Sequence, residues 1–334
     1  MNKYDRKKML LIAPVFFGYY KEIMSEAQNM GIIVDYICDT PSNSNISKAI
    51  ARINRTLIKG KTKKYFKDRV LPLVKNKQYD YVFLLAGMTF AFTPKMIKEI
   101  RNSQKKAEFI MYQWDSEENL PFSIYIHEYF DYIYTFDRGD SKKQGYRFLP
   151  LFYTRRYEDI ADTDRDIVYD CSYVGTAHPK KYKLINEMAY NIKEKFPRQF
   201  IYHYMPSRLK YIYHKMSSPE YKKASFSEFK TKKLKGSEIT DIFTKSYCIL
   251  DAPQEGQIGL TIRTIECLGA KKKIITTNSD IKNYDFYDEC NIWVYGDKID
   301  RNSPFFTEKY RDLPVEIYKK YSLRSWITTI IGGE

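Results

Sequence analysis

The stretch from Gln257 to Glu266, QIGLTIRTIE, combines residue types that suit a phosphate and a ribose. Gly259 has no side chain, so backbone amides can approach an anion closely, and Thr261 is placed to begin a helix whose unpaired N–H groups favour phosphate. Arg263 offers a planar fork of donors to a diphosphate. Glu266, one turn further on, suits ribose hydroxyls. The competing interpretation is an ordinary salt bridge between Arg263 and Glu266 on a solvated helix face.

A second predicted anion site is the pair Gly175-Thr176, which follows a strand-like segment and precedes a helix-like one. A turn there would offer backbone amides to a phosphate, although a plain strand-to-helix turn accounts for the same residues. His178 and Lys180 close by would add charge or lie solvated on a loop. The residues of the predicted phosphate and ribose site are Gly175, Thr176, Gln257, Gly259, Leu260, Thr261, Arg263 and Glu266.

The composition indicates a folded chain of two domains. With 334 residues, 43% of them hydrophobic and 16% aromatic, the chain can bury enough apolar surface to fold. No apolar run approaches the ~18 residues that cross a bilayer. The run Met9 to Phe17 follows basic residues as in a signal peptide, but it contains Pro14 and lacks a small-residue cleavage site, which favours a buried strand. We expect a soluble, cytoplasmic protein.

Cysteine and histidine patterns indicate neither a disulfide framework nor a metal site. The five cysteines are scattered without a C-x-x-C pair, and the four histidines lack spacings such as H-E-x-x-H. We therefore expect a reducing compartment, no metal and no bound cofactor.

The net charge of +15 suits an anionic partner without identifying it. Clustered lysine and arginine fit nucleic-acid phosphates, an anionic membrane surface or phosphorylated substrates, and solvated surface lysines account for the charge equally well. The sequence has no groove-reading motif such as helix-turn-helix, a zinc finger or an aromatic RNP sheet, so we expect no nucleic-acid partner.

Strand-like and helix-like segments alternate in both halves of the chain, which predicts two doubly wound parallel sheets of the Rossmann type. The predicted strands of the first half are Met9 to Ala13, Ile32 to Ile37, Tyr81 to Ala86, Phe109 to Trp114 and Tyr132 to Phe136. Those of the second half are Tyr169 to Val174, Phe200 to Tyr204, Cys248 to Leu250, Lys273 to Thr276 and Ile292 to Val294. Ligands in such sheets lie beyond the carboxyl ends of the strands, so the loops there form the expected binding face.

Three segments differ from this alternation. Tyr153 to Asp166 is polar and charge-rich, and we interpret it as the linker between the halves. The segment from Pro206 to Gly236 has a helical, strongly basic and tyrosine-rich pattern, to which we assign no chemistry. The tail from Tyr318 to Ile331 is typical of one helix and carries Trp326.

One long motif resembles that of a known enzyme group. From Gln257 to Asn278 the chain reads Q-x-G-L-T-x-R-x-x-E-x-L-G-x-x-K-K-x-I-T-T-N, which is similar to bacterial glycosyltransferases that build lipopolysaccharide, capsule and exopolysaccharide. This group is related to CgeB-like and glycosyltransferase family 1-like proteins. Further segments resemble the same group in the same order, namely Tyr112 to Ser116, Phe130 to Arg138, Leu149 to Leu151 and Asp170 to Thr176. The resemblance covers most of the chain.

The resemblance implies an α/β chain with the GT-B fold, in which two Rossmann-like doubly wound parallel-sheet domains face each other across a cleft. An N-terminal domain, expected at residues 1–160, would bind the acceptor, and a C-terminal domain, at 161–316, the nucleotide sugar. The C-terminal helix, within 317–334, would cross back to the first domain. One departure is the absence of the E-x7-E signature of many retaining enzymes, since Glu255 stands eleven residues before Glu266. Retention or inversion is thus left open.

Carboxylates at predicted strand ends are candidates for a catalytic base. An inverting transfer needs one base to take the proton of the acceptor hydroxyl, and we favour Asp115, with Glu117 as the rival. Capping a helix is an equally good role for Asp115 or Asp137. The expected acceptor-binding residues are Phe16, Gly18, Tyr19, Gly87 and Asp137.

These features predict a metal-independent glycosyltransferase that moves a sugar from a nucleotide-sugar donor, of which we favour a UDP-linked one, to a saccharide acceptor that we expect to be lipid-linked. Its expected place is bacterial surface-polysaccharide synthesis, in the cytoplasm and at the inner face of the membrane. One alternative is a non-catalytic scaffold that binds nucleotide sugars in a polysaccharide-assembly complex. A basic nucleic-acid-binding protein is the less favoured alternative.

Overall fold

The computed structural model describes residues 3–15, 18–41, 58–161, 163, 166–254, 257–298, 300 and 302–332. The chain divides into two compact units. The first comprises Met1–Pro150 together with Leu323–Glu334, and the second comprises Leu151–Ser322. None of the helices in the described residues is long and apolar enough to span a membrane.

The first unit is built on a six-stranded parallel sheet. Its strands are β1 (Lys8–Ala13), β2 (Ile33–Cys38), β3 (Tyr81–Ala86), β4 (Glu108–Gln113), β5 (Tyr132–Thr135) and β6 (Arg147–Phe148). Its helices before Pro150 are α1 (Tyr19–Asn29), α2 (Lys59–Tyr65), α3 (Leu71–Asn76), α4 (Pro94–Ser103) and α5 (Arg138–Gln144), with a π-helical turn at Phe66–Val70 and a 3-10 helix at Pro121–Tyr129. The strand order β2-β1-β3-β4-β5-β6 reverses between β1 and β3, so the loops after these strands flank the point where such sheets bind ligands.

The core of this sheet follows from its sequence. Every side chain of β3 is buried, as expected for a parallel strand with helices on both faces. Thr93 caps α4 by accepting the Met96 N–H at 3.4 Å, and Pro94 occupies the first helical position. Ile97 and Ile100 then lie one turn apart and pack into the core.

The second unit has its own six-stranded parallel sheet. Its strands are β7 (Tyr169–Thr176), β8 (Gln199–Tyr204), β9 (Phe229–Lys230), β10 (Ser246–Asp251), β11 (Lys273–Thr276) and β12 (Ile292–Val294). Its helices are α6 (Arg155–Glu158), α7 (Pro179–Asn191), α8 (Arg208–Ser217), α9 (Gly236–Thr244), α10 (Ile262–Gly269), α11 (Pro304–Thr307) and α12 (Val315–Lys320), with 3-10 helices at Pro219–Tyr221, Phe226–Glu228 and Ser279–Asn283. The strand order β12-β11-β10-β7-β8-β9 is that of a Rossmann sheet, and it reverses between β7 and β10.

The last helix, α13 (Leu323–Gly332), belongs to the first unit although it follows the second in sequence. Trp326 is buried, and its ring centroid lies 4.8 Å from that of Tyr112 and 5.8 Å from that of Phe83. The C-terminal helix therefore returns to the first unit, as the resemblance implies.

The tail predicted as one helix is two helices. The chain turns at Tyr321, whose carbonyl accepts the Tyr153 N–H at 2.9 Å, so α12 ends before α13 begins. The helical pattern of the tail could not predict this hydrogen bond, because its donor, Tyr153, lies far away in the sequence.

The segment predicted as a linker packs within the second unit. Tyr153 and Tyr157 are buried, and their rings lie 5.0 Å from Tyr318 and 5.5 Å from Phe243 respectively. The units therefore divide after Pro150 rather than at residue 160. The charged residues of this segment favoured a linker, but the two tyrosines among them attach the segment to the second unit.

The basic segment predicted as helical from Pro206 to Gly236 is helical in part. It contains α8, two 3-10 helices, the start of α9 and the short edge strand β9. β9 pairs with β8 through Phe229 and Lys230 alone. A strand of two residues is too short to show an alternating pattern in the sequence.

His203 makes the stability of the second unit depend on pH. Its ring is buried near Tyr173 and Tyr182, and burial lowers its pKa to about 4, against a smaller opposing effect of Glu228. Because an unfolded histidine titrates near 6.5, between that pH and about 4 the unfolded chain binds a proton that the folded chain does not. The stability that neutral His203 contributes is therefore fully present above pH 6.5. We expect about 3 kcal/mol of the free energy of unfolding to be lost as the pH falls from there to about 4.

Urea unfolding near neutral pH and near pH 4 would measure this loss, with His203→Gln as the comparison. The variant loses packing at both pH values, but its stability should fall less on acidification than that of the natural chain. An equal fall in both proteins would contradict the assignment to His203.

Candidate active site

The start of α10 is fixed to the end of β10 by one buried carboxylate. Thr261 is the N-cap of the helix, as predicted, and its Oγ1 accepts the Thr264 N–H at 3.3 Å. The hydroxyls of Thr261 and Thr264 donate to Asp251 Oδ2 at 2.8 and 2.9 Å. Asp251, which is 3% exposed, ends β10 beside the switch point of the sheet. The helix N-terminus therefore lies where ligands bind in a Rossmann sheet.

Arg263 and Glu266 form a buried salt bridge. The Nη1 of Arg263 donates to Glu266 Oε2 at 2.7 Å, and the two side chains are 19% and 2% exposed. The Arg263 guanidinium also lies 5.0 Å from the Phe243 ring, and its Nη2 donates to the Val174 carbonyl at 3.5 Å. Burial first, and then the neighbouring Glu266 carboxylate, raise the pKa of the Tyr157 hydroxyl. The salt bridge of the competing interpretation is present, but it is buried instead of solvated.

This pairing separates the two predicted roles. Arg263 is held at the end of β7 by contacts on three sides, which suits a cation that must be in place before an anion arrives. The Glu266 carboxylate neutralises that cation inside the unit. Ribose binding by Glu266 stays a prediction that the observed contacts do not favour.

The loop before α10 is held by side-chain amides. Gln257 Nε2 donates to the Gly259 carbonyl at 2.8 Å, and Asn278 Nδ2 donates to the Ile258 carbonyl at 2.9 Å. Leu260 is buried beneath the loop. Gln257 and Leu260 thus shape the loop, and phosphate binding by Gly259 stays a prediction.

The predicted turn at Gly175-Thr176 is wrong. Both residues belong to β7 and pair with His203 and Tyr204 of β8, so their backbone does not form a phosphate nest. A Cβ at Gly175 would collide with the Tyr173 hydroxyl. The glycine is therefore required because the Tyr173 side chain lies across it. Gly175 and Thr176 nonetheless end the strand next to the Val174 carbonyl that Arg263 contacts.

In the first unit, four of the predicted catalytic and acceptor residues follow the carboxyl ends of β1, β3 and β4, namely Gly18, Gly87, Asp115 and Glu117. Asp115 Oδ2 accepts the Met88 N–H at 3.2 Å and lies beside Gly87. Gly18 has a φ of 85° at the start of α1, a conformation that favours glycine, and the Tyr19 ring lies 5.5 Å from that of Trp114. The predicted acceptor residue Phe16 lies outside the described residues.

Asp137 is a helix cap, as one of the two interpretations held. Its Oδ1 accepts the N–H groups of Gly139 and Asp140 at 2.8 and 3.1 Å at the start of α5, and it is 3% exposed. The acceptor-binding role predicted for Asp137 is therefore not favoured by its contacts.

The rival base Glu117 is held by its neighbours. Gln144 Nε2 donates to both Glu117 carboxylate oxygens, at 2.8 and 2.6 Å, and the Glu117 N–H donates to Asp140 at 2.7 Å. Burial raises the pKa of Asp140, and the Asp137 and Glu117 carboxylates add to this effect. Sequence analysis did not single out Asp140.

Solved glycosyltransferase structures match this architecture over most of the chain. An alpha-glucosyltransferase in complex with UDP and a 13-mer DNA with a central A:G mismatch matches with a TM-score of 0.57 at 13% identity, over 86% of each chain. The lipopolysaccharide outer core galactosyltransferase WaaB, in its apo form, matches with a TM-score of 0.52 at 11% identity, over 98% of this chain and 99% of WaaB. Anabaena HepE in complex with UDP and glucose matches with a TM-score of 0.51 at 9% identity, over 86% of this chain and 85% of HepE.

The chain has the GT-B fold. No protein-family model and no curated protein matches the sequence. At identities this low, the structural matches establish the fold alone.

Lys181 is a residue of the second unit that sequence analysis missed. It lies in the first turn of α7, where burial lowers its pKa, with Asp251 opposing and Arg263 adding to the shift. Lys180, which was considered instead, is exposed. Lys181 stands four residues before the buried Ile185, so the helical repeat of the buried face is the signal that would have selected it.

Removal of Arg263 tests the buried pair. In Arg263→Ala the buried Glu266 loses its counter-charge, and we expect the free energy of unfolding to fall by about 3 kcal/mol or more. Urea denaturation would measure the change.

Arg311→Ala is the surface comparison, because Arg311 is half exposed and pairs with Glu308 at the same i,i+3 spacing and the same 2.7 Å, and also with Asp288 at 3.2 Å. It should cost less than about 1 kcal/mol. Equal losses in the two variants would show that burial does not strengthen the Arg263–Glu266 contact.

Proposed function

We propose that this chain is a glycosyltransferase that moves a sugar from a nucleotide-sugar donor to a saccharide acceptor. The observation that carries the proposal is the placement of Lys181 and Arg263, two cations near Asp251 at the switch point of the second sheet. The GT-B fold supports it, since the matched structures of this fold are glycosyltransferases and two of them were solved with UDP.

The chemistry requires stabilisation of a leaving diphosphate. When the bond between the anomeric carbon and the phosphate oxygen breaks, its electrons remain on that oxygen and negative charge grows there. Lys181 and Arg263, with the N-terminus of α10 behind Thr261, would oppose this charge, and Arg263 is oriented before the reaction begins. In this proposal the protein cations do the work that a bound metal does elsewhere, so no metal is needed.

The acceptor side of the proposal rests on Asp115. In an inverting transfer the acceptor hydroxyl attacks the anomeric carbon and gives its proton to a carboxylate. Asp115 uses Oδ2 to accept the Met88 N–H at the carboxyl end of the first sheet, beside the switch point. Glu117 suits this role less, because Gln144 donates to both of its oxygens.

We further propose a UDP-linked donor and a lipid-linked saccharide acceptor at the inner face of the membrane, in bacterial surface-polysaccharide synthesis. UDP is the nucleotide in two of the matched structures, and a third is a lipopolysaccharide galactosyltransferase. The net charge of +15 supports peripheral contact between a cytoplasmic enzyme and an anionic membrane.

Nucleotide binding tests the donor site. We expect UDP to raise the thermal midpoint of the chain, and Lys181→Gln to weaken UDP binding on the order of tenfold through loss of one phosphate contact. Lys180→Gln removes the same charge one residue away and should bind UDP as the natural chain does. If no UDP, GDP, CMP or dTDP compound stabilises the protein, the donor site is wrong.

Replacement of Asp115 separates catalysis from binding. Asp115→Asn keeps an acceptor for the Met88 N–H but removes the base, so transfer should slow by roughly a hundredfold or more with UDP affinity unchanged. Glu117→Gln is the comparison, and it should retain more activity than Asp115→Asn. If transfer survives in Asp115→Asn and fails in Glu117→Gln, Glu117 is the base instead of Asp115. If the natural chain binds UDP but transfers sugar to no acceptor, the scaffold alternative is favoured.

A further inference from the structure

The segment between β8 and β9 forms a small layer of its own on the second unit. Its helix, α8, is attached through Tyr211, which is buried and whose hydroxyl donates to the Ala224 carbonyl at 2.8 Å. Tyr211 packs against Phe229 at a ring distance of 5.5 Å, and the cluster continues through Tyr182 and Tyr221, whose rings stack at 4.9 Å. One face of α8 is thereby fixed to the protein.

The opposite face of α8 is apolar and exposed. Leu209, Ile212, Tyr213 and Met216 are 79%, 50%, 67% and 84% exposed. Their spacing of i, i+3, i+4 and i+7 places them in one stripe about 100° wide, and the stripe lies on the side away from Tyr211. Single exposed apolar residues need no explanation, but four in one stripe mark a contact surface.

Basic residues are concentrated in the segment that carries this stripe. Residues 206–235 contain nine lysines and arginines and two glutamates, a net charge of +7 out of the +15 of the whole chain. Arg208 and Lys210 flank the stripe on α8 itself, and Lys222 and Lys223 are exposed a few residues after the helix ends. One of the two glutamates, Glu228, accepts hydrogen bonds from Tyr182 and Ser225 and so serves the layer's own structure.

We propose that α8 docks on an anionic lipid surface, with Leu209, Ile212, Tyr213 and Met216 inserted among the acyl chains and the basic residues against the headgroups. An exposed apolar stripe with lysine and arginine on its flanks is the pattern of a helix that lies in the plane of a membrane interface. Nucleic acid would engage the lysines but leave the stripe uncovered, whereas an anionic lipid surface accounts for both the stripe and the charge. This surface is independent of the glycosyl-transfer proposal and identifies which residues make the membrane contact.

Flotation with lipid vesicles tests this docking. The full chain should bind vesicles that contain phosphatidylglycerol in phosphatidylcholine, and it should bind pure phosphatidylcholine much less. The double variant Leu209→Ser with Met216→Ser should bind the anionic vesicles on the order of tenfold more weakly, because it withdraws two apolar side chains. Lys222→Gln with Lys223→Gln should weaken binding by a similar factor, and this charge-dependent part should disappear in high salt.

Val315→Ser is the matched control, because Val315 is 62% exposed on α12 of the same unit but lies outside the stripe. It should bind vesicles as the natural chain does. All the replaced side chains are exposed, so the variants should keep their thermal midpoint and their UDP affinity.

Three outcomes would overturn the docking proposal. The first is vesicle binding unchanged by the Leu209 and Met216 substitutions. The second is a dimer in sedimentation that these substitutions dissociate, without vesicle binding, which assigns the stripe to a second copy of the chain. The third is salt-sensitive affinity for random duplex DNA with no affinity for lipid, which assigns the charge to nucleic acid. Loss of UDP binding in Lys181→Gln would leave docking intact, so the two proposals fail separately.

Discussion

The geometry of the second unit's site depends on the buried carboxylate of Asp251. Both Thr261 and Thr264 donate their hydroxyls to the same oxygen, which joins the last residue of β10 to the first turn of α10. A carboxylate that is 3% exposed is costly unless it is hydrogen-bonded and its charge is balanced. The hydroxyls meet the first condition, and the nearby Lys181 and Arg263 meet the second. Because α10 also carries Arg263 and Glu266, the hydrogen bonds from Thr261 and Thr264 to Asp251 also fix the positions of these two residues.

Two anions and two cations thus balance one another at the end of this sheet. Asp251 is closest to the hydroxyls, Glu266 holds Arg263, and Lys181 is left with a pKa lowered by burial. A group whose charged form is disfavoured by burial gains most when an anion arrives beside it. A diphosphate beside Lys181 would therefore raise its pKa again, whereas Arg263 is already compensated by Glu266. On this argument Lys181 responds to the ligand, and Arg263 mainly provides a fixed positive charge.

Much of the fold could be predicted from the sequence, because parallel strands covered on both faces are continuous apolar runs. β3, β11 and β12 have the bounds that their apolar residues predict. The two-residue strands β6 and β9 could not be found, since pairing with a neighbour defines them. In the site, the helix start at Thr261 could be predicted from the capping preference of threonine. The burial of Glu266 could not be predicted from its neighbours in sequence. Tyr157, which contacts Glu266, comes from a segment whose charged residues are typical of a linker.

The lysines fall into groups with different surroundings, which the net charge alone does not distinguish. Lys273 is 2% exposed and donates to the carbonyls of Phe305 and Glu308 at 2.8 and 2.7 Å, so it stabilises the fold. Lys181 lies beside the end of the sheet, where a ligand's charge is needed. Lys222 and Lys223 are exposed in the segment that carries the apolar stripe of α8. The net charge adds these groups together, although a buried lysine that donates to carbonyl groups, such as Lys273, contributes little to contact with an anionic surface. The distribution of the lysines, and not their excess, is therefore the physical basis on which phosphate binding and lipid docking are distinguished.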